Sequence, residues 1–337
     1  MIRTGVIGYG LGGMAFHAPL IHAMPELELA AIATSRADEV HARYPDVAVT
    51  GTQALIADPS IALVAISTPN DTHVPLARAA LEAGKHVVID KPFAPTPGEA
   101  AELDALAKSR GLVLSAFHNR RWDGDFLTVR DLLARGRLGE VMLAEWRWDR
   151  FRPEVTAGWK DGPQAGTGIL GDLGSHLIDQ VLQLFGPPEA LSADVEVQRE
   201  GANTLDYFEI TFFYGKRRLI LSADRLVPAA RPRFALHGTE ASFVKYGVDP
   251  QEPAMKAGGK PGDHAEEPAA YGVLTQSDGA RETIPTQKGD YRHFYSGVAQ
   301  AIINGTAPPV TAQDAILGLR IIELALQSAR EGRRIAL

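Results

Sequence analysis

Two separated groups of polar residues in this chain could together move a proton to or from a substrate. Lys91 follows the apolar run of residues 87–89, so its ammonium is expected at the tip of a buried strand. In the glycine-rich stretch 168–179, Asp172 and His176 stand four residues apart and share one face if the stretch is helical. A carboxylate beside an imidazole orients the ring and favours its protonated form, which suits proton exchange with a hydroxyl or carbonyl group.

Each group also has an ordinary structural interpretation, which the residues alone leave open. Lys91 can simply close a strand at the protein surface. Asp172 can be a helix N-cap and His176 a polar residue of the core. A catalytic role for either group therefore depends on the elements around it.

A glycine pattern near the N-terminus is typical of a phosphate-binding turn. Gly8, Gly10 and Gly13 follow the apolar run of residues 4–7 and match G-x-G-x-x-G. Between a strand and a helix, such glycines allow a tight turn, close approach of a pyrophosphate and close helix packing. The helix N-terminus adds N–H groups and partial positive charge. The pattern predicts a dinucleotide site, and an ordinary glycine-rich turn is the alternative.

The end of the second apolar run indicates which dinucleotide is bound. A cofactor without a 2′-phosphate is usually held there by an acidic residue. This chain has Thr34, Ser35 and Arg36 instead, and two hydroxyls with a guanidinium suit a phosphate group. Asp38 lies close by and keeps NAD open as the alternative. The residues favour NADP.

The elements that would position these groups alternate between strand and helix in the first third of the chain. Near-continuous apolar runs are typical of parallel strands buried on both faces. These runs are Gly5–Gly8, Leu27–Ala33, Leu63–Ser67, His86–Asp90 and Val113–Phe117. Alternating strands and helices predict a doubly wound parallel sheet with right-handed crossovers.

Helix boundaries in this region have recognisable signals. Thr96, Pro97 and Glu99 predict an N-cap, a first helical residue and a capping-box acid, and that helix should end at Gly111. A residue of the stretch 70–72 is expected to cap the helix that begins near His73.

After about residue 118 the pattern changes to strands with fewer helices. Helices are expected near Phe126–Arg135 and from about Asp172 to Phe185, and a final helix carries Ala315, Leu319, Ile322 and Leu326 on one stripe. The predicted strands are Glu140–Asp149, Ala190–Gln198, Leu205–Tyr214, Arg218–Asp224, Arg233–His237 and Ala241–Val244. They predict an α+β domain with a largely antiparallel sheet, so residues 1–118 and 119–337 form the two expected domains. Residues 247–290 lack periodicity and are expected to form a long loop.

Composition limits the remaining possibilities. The 337 residues suffice for two domains with their own cores. A net charge of -7 argues against non-specific binding of nucleic acid or anionic membranes. The chain has 0 cysteines, which excludes disulfides and thiolate metal sites. No signal peptide or membrane-spanning run is recognisable, so we expect a soluble cytoplasmic protein.

Taken in order, these motifs resemble those of the Gfo/Idh/MocA oxidoreductases. The glycine pattern is followed by Thr68-Pro69-Asn70 with His73, then by Asp90-Lys91-Pro92, then by the Asp172…His176 helix. Two further segments resemble the branch of that family that contains NADP-dependent scyllo-inositol dehydrogenases. They are Phe16-His17-Ala18-Pro19-Leu20 and Phe117–Asp123 with Asp125-Phe126-Leu127.

The resemblance implies a Rossmann domain followed by an open-faced α/β domain whose sheet often forms a dimer. It implies that Lys91 contacts substrate and nicotinamide, that His176 transfers the proton, and that Asp172 binds substrate or supports the histidine. Asp90 departs from the glutamate usual in the family's E-K-P motif, so the contact made by that acid is not carried over.

The resemblance also implies a cofactor-lining turn and a reaction. The turn comprises Thr68, Pro69, Asn70 and His73, with Arg121 and Trp122 lining the cleft. Aromatic residues that could cover a substrate are Trp146, Trp148, Trp159, Tyr291 and Tyr295, each of which could equally be core or interface. The implied reaction is reversible oxidation of a secondary alcohol on a sugar or cyclic polyol. The alternatives are a same-fold reductase of a dihydrodiol, imine or tetrapyrrole, and a catalytically silent ligand sensor.

Overall fold

A computed structural model describes residues 1–155 and 168–337 of the chain. The chain divides into two compact units, each assembled from segments that are distant in sequence. The first unit comprises Met1–Trp122, Gln251–His264 and Asp290–Leu317. The second comprises Asp123–Pro250, Ala265–Gly289 and Gly318–Leu337.

The helices of the described residues are mostly short and lie between strands. The α-helices are α1 (Ala18–His22), α2 (Ala37–Arg43), α3 (Thr52–Ala57), α4 (His73–Glu82), α5 (Pro97–Ser109), α6 (Gly124–Ala134), α7 (Ser175–Phe185), α8 (Gln251–Lys256), α9 (Arg292–Asn304) and α10 (Ala312–Glu331). Two π-helical turns, Gly13–His17 and Leu170–Gly174, lead directly into α1 and α7. Over the described ranges, no helix has the length and apolarity required to span a membrane.

The first unit contains a six-stranded parallel sheet, as the alternating pattern predicts. The strand order is β3-β2-β1-β4-β5-β6, which places the first strand at the centre. The strands are β1 (Ile2–Ile7), β2 (Leu27–Ala33), β3 (Ala48–Thr50), β4 (Leu63–Ile66), β5 (His86–Ile89) and β6 (Leu114–Ala116). Sequence analysis missed β3, because its three residues are too few and too exposed to form an apolar run.

Helix boundaries in this unit confirm one predicted cap and overturn another. Thr96 accepts a hydrogen bond from the Glu99 N–H at 3.2 Å, and Gly111 has a left-handed φ of +64° just after α5. No side chain caps α4, so the predicted cap at residues 70–72 is wrong. The reason is that the Thr72 hydroxyl lies 2.6 Å from both the Thr68 hydroxyl and the Pro69 carbonyl oxygen.

The second unit contains a nine-stranded mixed sheet that is mostly antiparallel, as predicted. Its order is β14-β13-β12-β11-β7-β10-β9-β8-β15, and β7 pairs in parallel with β10. The strands are β7 (Val141–Arg147), β8 (Ala190–Glu196), β9 (Tyr207–Tyr214), β10 (Arg217–Asp224), β11 (Phe234–Gly238), β12 (Ala241–Lys245), β13 (Gly272–Gln276), β14 (Arg281–Ile284) and β15 (Ile335–Ala336). The turn 170–174 packs on β9 and β10 and carries α7 with it.

The expectation of a structureless loop over residues 247–290 is wrong. The segment contains α8 and the hairpin formed by β13 and β14. Three of the four residues of β14 are exposed, so the strand has no apolar alternation to reveal it. Its position depends on pairing with β13, which in turn pairs with β12.

The two C-terminal helices differ in how clearly the amino-acid sequence predicts them. In α10, Ala315 and Ile322 of the predicted stripe are buried, while Leu319 and Leu326 are partly exposed. Helix α9 was not predicted, since no side chain caps its N-terminus.

Candidate active site

One group of candidate residues forms a row at the carboxyl edge of the parallel sheet in the first unit. Ile7 of β1 is paired with Ile66 of β4, and Ile66 is paired with Ile89 of β5. Because these last strand residues are level, Gly8, Ser67 and Asp90 follow them side by side. Open α/β sheets bind their ligands at this edge.

The structure explains the three glycines of the phosphate-type turn in two ways. A Cβ on Gly8, whose φ is +98°, would lie 2.2 Å from the Ser67 carbonyl oxygen, and a Cβ on Gly13 would lie 2.1 Å from the Gly8 carbonyl oxygen. These two glycines are therefore needed for the turn itself. Among the described residues, nothing lies within 4 Å of a Cβ placed on Gly10. That open space in front of a helix N-terminus fits the pyrophosphate of a dinucleotide.

The residues beyond β2 form an exposed turn without an acid at the strand end. The Thr34 hydroxyl accepts a hydrogen bond from the Arg36 N–H at 3.1 Å. Ser35 and Arg36 are exposed, and the Arg36 guanidinium lies 3.7 Å from the exposed Glu39 carboxylate. Such a half-exposed ion pair contributes little energy, which leaves the guanidinium available to an anionic ligand.

His73 joins the turns that follow β4 and β5. The ring is buried, with Nδ1 2.8 Å from the Pro92 carbonyl oxygen and Nε2 2.9 Å from the Thr68 carbonyl oxygen. Because a carbonyl oxygen only accepts, both contacts are hydrogen bonds only when both ring nitrogens carry hydrogen. Thr68, the first residue of the predicted cofactor-lining turn with Pro69 and Asn70, is thereby linked through His73 to the Lys91-Pro92 step.

Asp90 is the charged residue of this row and lies at its β5 end. Its Oδ1 accepts a hydrogen bond from the Lys91 backbone N–H at 2.8 Å, and its Oδ2 accepts one from the Ser67 hydroxyl at 3.0 Å. Burial opposes ionisation, but the contact and charge of His17, with the charges of Lys91 and His73, lower the pKa of Asp90 to about 2. The carboxylate is thus ionised and oriented beside Lys91.

A second group of candidate residues lies in the second unit, on the helix that runs from Leu170 to Phe185. Asp172 stands in its π-helical turn and His176 in the first turn of α7, so both lie on one side of a continuous helix, as predicted. His176 is buried, and its ring centroid lies 6.2 Å from that of Trp148. Asp172 is partly exposed.

Arg233 supports the surroundings of His176, and sequence analysis gave it no role. Its guanidinium lies 4.7 Å from the Trp148 ring centroid and donates to Oε1 of Gln180 at 3.1 Å. Gln180 stands four residues after His176 on α7. No local pattern marks this arginine as functional, because its partners come from the residue after β7, from α7 and from the start of α6.

Asp125 is the acidic neighbour of Arg233 in the second unit, and sequence analysis gave it no catalytic or binding role. The Arg233 Nε lies 3.7 Å from Asp125 Oδ2, and both side chains are buried. Burial raises the pKa of Asp125 to about 6 despite the opposing charge of Arg233, and the charge of Asp249 adds to the rise. The sequence offered one sign that this acid could be functional: in the segment 122–125, two aspartates flank a glycine.

Arg121 and Trp122, predicted to line the cleft, make defined contacts inside the first unit. The buried Arg121 guanidinium lies 3.2 Å from the Asp314 carboxylate and donates to the Pro309 carbonyl oxygen at 3.0 Å. Trp122 packs edge-on against Phe294. Their roles toward a cofactor stay predictions.

The aromatic residues expected over a substrate fall into separate places. Trp148 lies beside His176, but Trp146 is fully buried between Phe185 and Phe234 and is a core residue. Tyr291 and Tyr295 belong to the first unit. Trp159 lies outside the described residues. The Tyr291 hydroxyl accepts from Arg120, and the Tyr295 hydroxyl contacts His17.

Comparison with known proteins assigns the chain to a family. Residues 2–118 match the profile described as oxidoreductase family, NAD-binding Rossmann fold, and residues 130–337 match its C-terminal alpha/beta domain. The chain belongs to the Gfo/Idh/MocA oxidoreductases. This result confirms the family resemblance and the predicted two-part architecture.

Individual relatives of this oxidoreductase match over its full length. It is 45% identical to scyllo-inositol 2-dehydrogenase (NADP(+)) IolW of Bacillus subtilis, over 100% of this chain and 96% of that protein. It is 47% identical to the uncharacterized oxidoreductase YdgJ of Escherichia coli, over 100% and 99%. The solved structure of the Bacillus subtilis oxidoreductase YvaA superposes with a TM-score of 0.97 at 45% identity, covering 100% of this chain and 98% of that chain.

We expect Gly10→Ala to weaken cofactor binding without weakening the fold. A methyl group at Gly10 meets no atom of the described residues, so the free energy of unfolding should be unchanged. The same methyl group occupies the space offered to the pyrophosphate. The dissociation constant of NADPH, measured by its fluorescence, should rise by about 10-fold or more, which is about 1.4 kcal/mol. Gly51→Ala is the matched control, because a Cβ there also meets nothing within 4 Å. Equal NADPH affinity in both variants would contradict this placement.

We expect Asp90 to stabilise the oxidoreductase in a pH-dependent way. The folded-state pKa of about 2 lies below the ordinary aspartate value of 3.8, so the ionised carboxylate favours folding above pH 3.8. This contribution is lost as the pH falls through about 2. Asp90→Asn should therefore lower the free energy of unfolding by about 2 kcal/mol near neutral pH, and by about half as much near pH 3.

Urea unfolding at the two pH values measures this difference. Asp46→Asn, at an exposed aspartate, is the control for a simple change of net charge. A gap between wild type and Asp90→Asn that stays constant with pH would show that the carboxylate is not held as described.

Proposed function

We propose that the chain is an NADP-dependent dehydrogenase that oxidises a secondary alcohol of a cyclic polyol or sugar, such as an inositol, to a ketone. The observation that carries the proposal is that Lys91 follows β5 at the same sheet edge as the open glycine turn. Full-length identity with an NADP(+) scyllo-inositol 2-dehydrogenase supports the substrate class.

Residues of the first unit would hold the cofactor. The backbone at Gly8, Gly10 and Gly13 suits the pyrophosphate, and the turn 68–73 suits the nicotinamide half. Thr34, Ser35 and Arg36 present two hydroxyls and a guanidinium to a 2′-phosphate. Arg121 and Trp122 are proposed to line the same binding site.

The cofactor supplies hydride acceptance at its nicotinamide ring when it is bound. The chain's own residues manage the proton and the charge. His176 takes the proton of the substrate hydroxyl, and the Lys91 ammonium stabilises the negative charge that develops on that oxygen. Asp172 binds neighbouring ring hydroxyls or orients the His176 ring.

Neighbours of His176 give it the rigidity that such a role requires. Trp148 lies against the ring, and Arg233 holds both Trp148 and Gln180. A proton acceptor fixed in this way is oriented before substrate binds. The homodimer expected from the family stays a prediction.

We expect NADP+-linked turnover of inositols that depends on Lys91 and His176. Wild-type protein is incubated with NADP+ or NAD+ and a panel of inositols, aldoses and uronates, while absorbance of the reduced cofactor is followed. Lys91→Met and His176→Asn should each lower kcat/KM by about 100-fold or more, since each removes a group that acts on the reacting oxygen. Lys108→Met and His22→Asn, at exposed positions, are the matched controls.

The outcomes of this screen separate the alternatives. Polyol turnover that survives both substitutions would contradict the assigned roles. Tight NADPH binding without turnover of any substrate would favour a ligand sensor. Turnover confined to an imine or a dihydrodiol would leave the oxidoreductase assignment intact and change the substrate class.

We expect Arg36→Ala to reduce the preference for NADP+ over NAD+. The guanidinium would lose a charge-assisted contact with the 2′-phosphate, so KM for NADP+ should rise by about 10-fold or more while KM for NAD+ changes little. Arg78→Ala removes an arginine from another exposed ion pair, with Glu102, and is the matched control. An unchanged cofactor preference in Arg36→Ala would contradict this reading of the turn.

A further inference from the structure

A buried histidine of the first unit lies between a hydroxyl and a carboxylate. His17 is 0% exposed, and its ring packs against Phe117 with centroids 4.2 Å apart. Its Nδ1 lies 2.6 Å from the Tyr295 hydroxyl, and its Nε2 lies 3.5 Å from Oδ2 of Asp90. Packing alone would be served by an apolar side chain, because burying an imidazole costs free energy unless its nitrogens have partners.

The Tyr295 hydroxyl directs a hydrogen of His17 toward the carboxylate. Tyr295 is fully buried on α9, and burial together with the Asp90 charge raises its pKa well above the ordinary value, so it remains a neutral phenol. When the phenol donates to Nδ1 of a neutral ring, the ring hydrogen is on Nε2. When the ring is protonated, Nε2 carries hydrogen as well. In both forms Nε2 presents a hydrogen to Asp90.

Asp90 connects this histidine to Lys91. Its Oδ1 accepts from the Lys91 backbone N–H, and its Oδ2 faces both the Ser67 hydroxyl and His17. The carboxylate therefore orients the backbone from which the Lys91 side chain extends. Its own orientation depends on the groups around Oδ2, of which His17 is the buried one.

Gly12 preserves the space for this arrangement. A Cβ at Gly12 would lie 2.3 Å from the Ser67 Oγ and 2.6 Å from Oδ2 of Asp90. Gly12 is not part of the G-x-G-x-x-G pattern, so the phosphate turn does not explain it. The Ser67–Asp90 contact does, since any side chain at this position would displace it.

We propose that His17 is a positioning residue for Lys91 and acts by holding Oδ2 of Asp90. The inference rests on the proposed function, in which Lys91 stabilises charge on the substrate oxygen. It also gives a reason for an aspartate before Lys91, because a glutamate would carry its carboxylate one methylene group beyond this position. Loss of the contact misplaces Lys91 and leaves the glycine turn intact, so kcat falls while cofactor affinity does not.

Two substitutions at His17 separate the roles of its nitrogens. His17→Gln retains an amide nitrogen near the position of Nε2, whereas His17→Asn retains one near Nδ1. We expect kcat with the best polyol to fall about 10- to 100-fold in His17→Asn and to stay within a few-fold of wild type in His17→Gln. The NADPH dissociation constant should be unchanged in both. His22→Asn, at an exposed histidine of α1, is the control.

A labelling experiment tests the same inference without turnover. The protein is treated with a limiting amine-reactive reagent, and peptide mass spectrometry compares modification of Lys91 with that of Lys108, an exposed lysine of α5. The ratio should change several-fold in His17→Asn and be preserved in His17→Gln. If His17→Asn does not fold, Tyr295→Phe removes only the orienting hydroxyl and should shift the ratio in the same direction.

The results distinguish failure of this inference from failure of the proposed function. Equal effects of the two His17 substitutions on the labelling ratio, or no effect of either, would overturn the role of His17. Absence of polyol turnover by the wild type would overturn the proposed function, and the labelling ratios would still decide whether His17 positions Lys91.

Discussion

The level pairing of β1, β4 and β5 is the constraint on which the site depends. Because Ile7, Ile66 and Ile89 end their strands in register, the three residues that follow are neighbours although the chain separates them widely. A shift of one strand by one residue would reverse which side chains point to each face of the sheet. The glycine turn and the Lys91 loop are therefore positioned by the same set of paired strands, and the pairing of these apolar strands determines the spacing between the two segments.

The second unit supports its residues by a different kind of interaction. Around His176, the aromatic ring of Trp148 and the buried guanidinium of Arg233 replace backbone pairing as the means of orientation. Asp125 accompanies the arginine, yet burial keeps the pKa of that acid raised. Buried polar groups of this kind favour one arrangement of side chains when they are satisfied together.

Sequence reasoning succeeded where local chemistry decides structure and failed where distant partners do. Continuous apolar runs revealed the parallel strands, and Thr96 with Glu99 revealed the start of α5, because these signals lie within a few residues. Strand β14 and the role of Arg233 were missed, since pairing with β13 and contact with Trp148 are set by tertiary structure. His17 was noticed only as part of a family-like segment, and its partner Tyr295 lies 278 residues away.

The first unit includes segments from late in the chain, and this limits when it can complete folding during synthesis. Segments 251–264 and 290–317 belong to this unit, and the second of them supplies Tyr295 to His17 and the Val310 carbonyl oxygen to the Ser115 hydroxyl. N-terminal domains usually fold as soon as they leave the ribosome. Here the core of the N-terminal sheet is closed only after residues 290–317 have been synthesised. Until then, the Phe117 ring lacks Phe294 and Tyr295, the two aromatic partners that this late segment supplies.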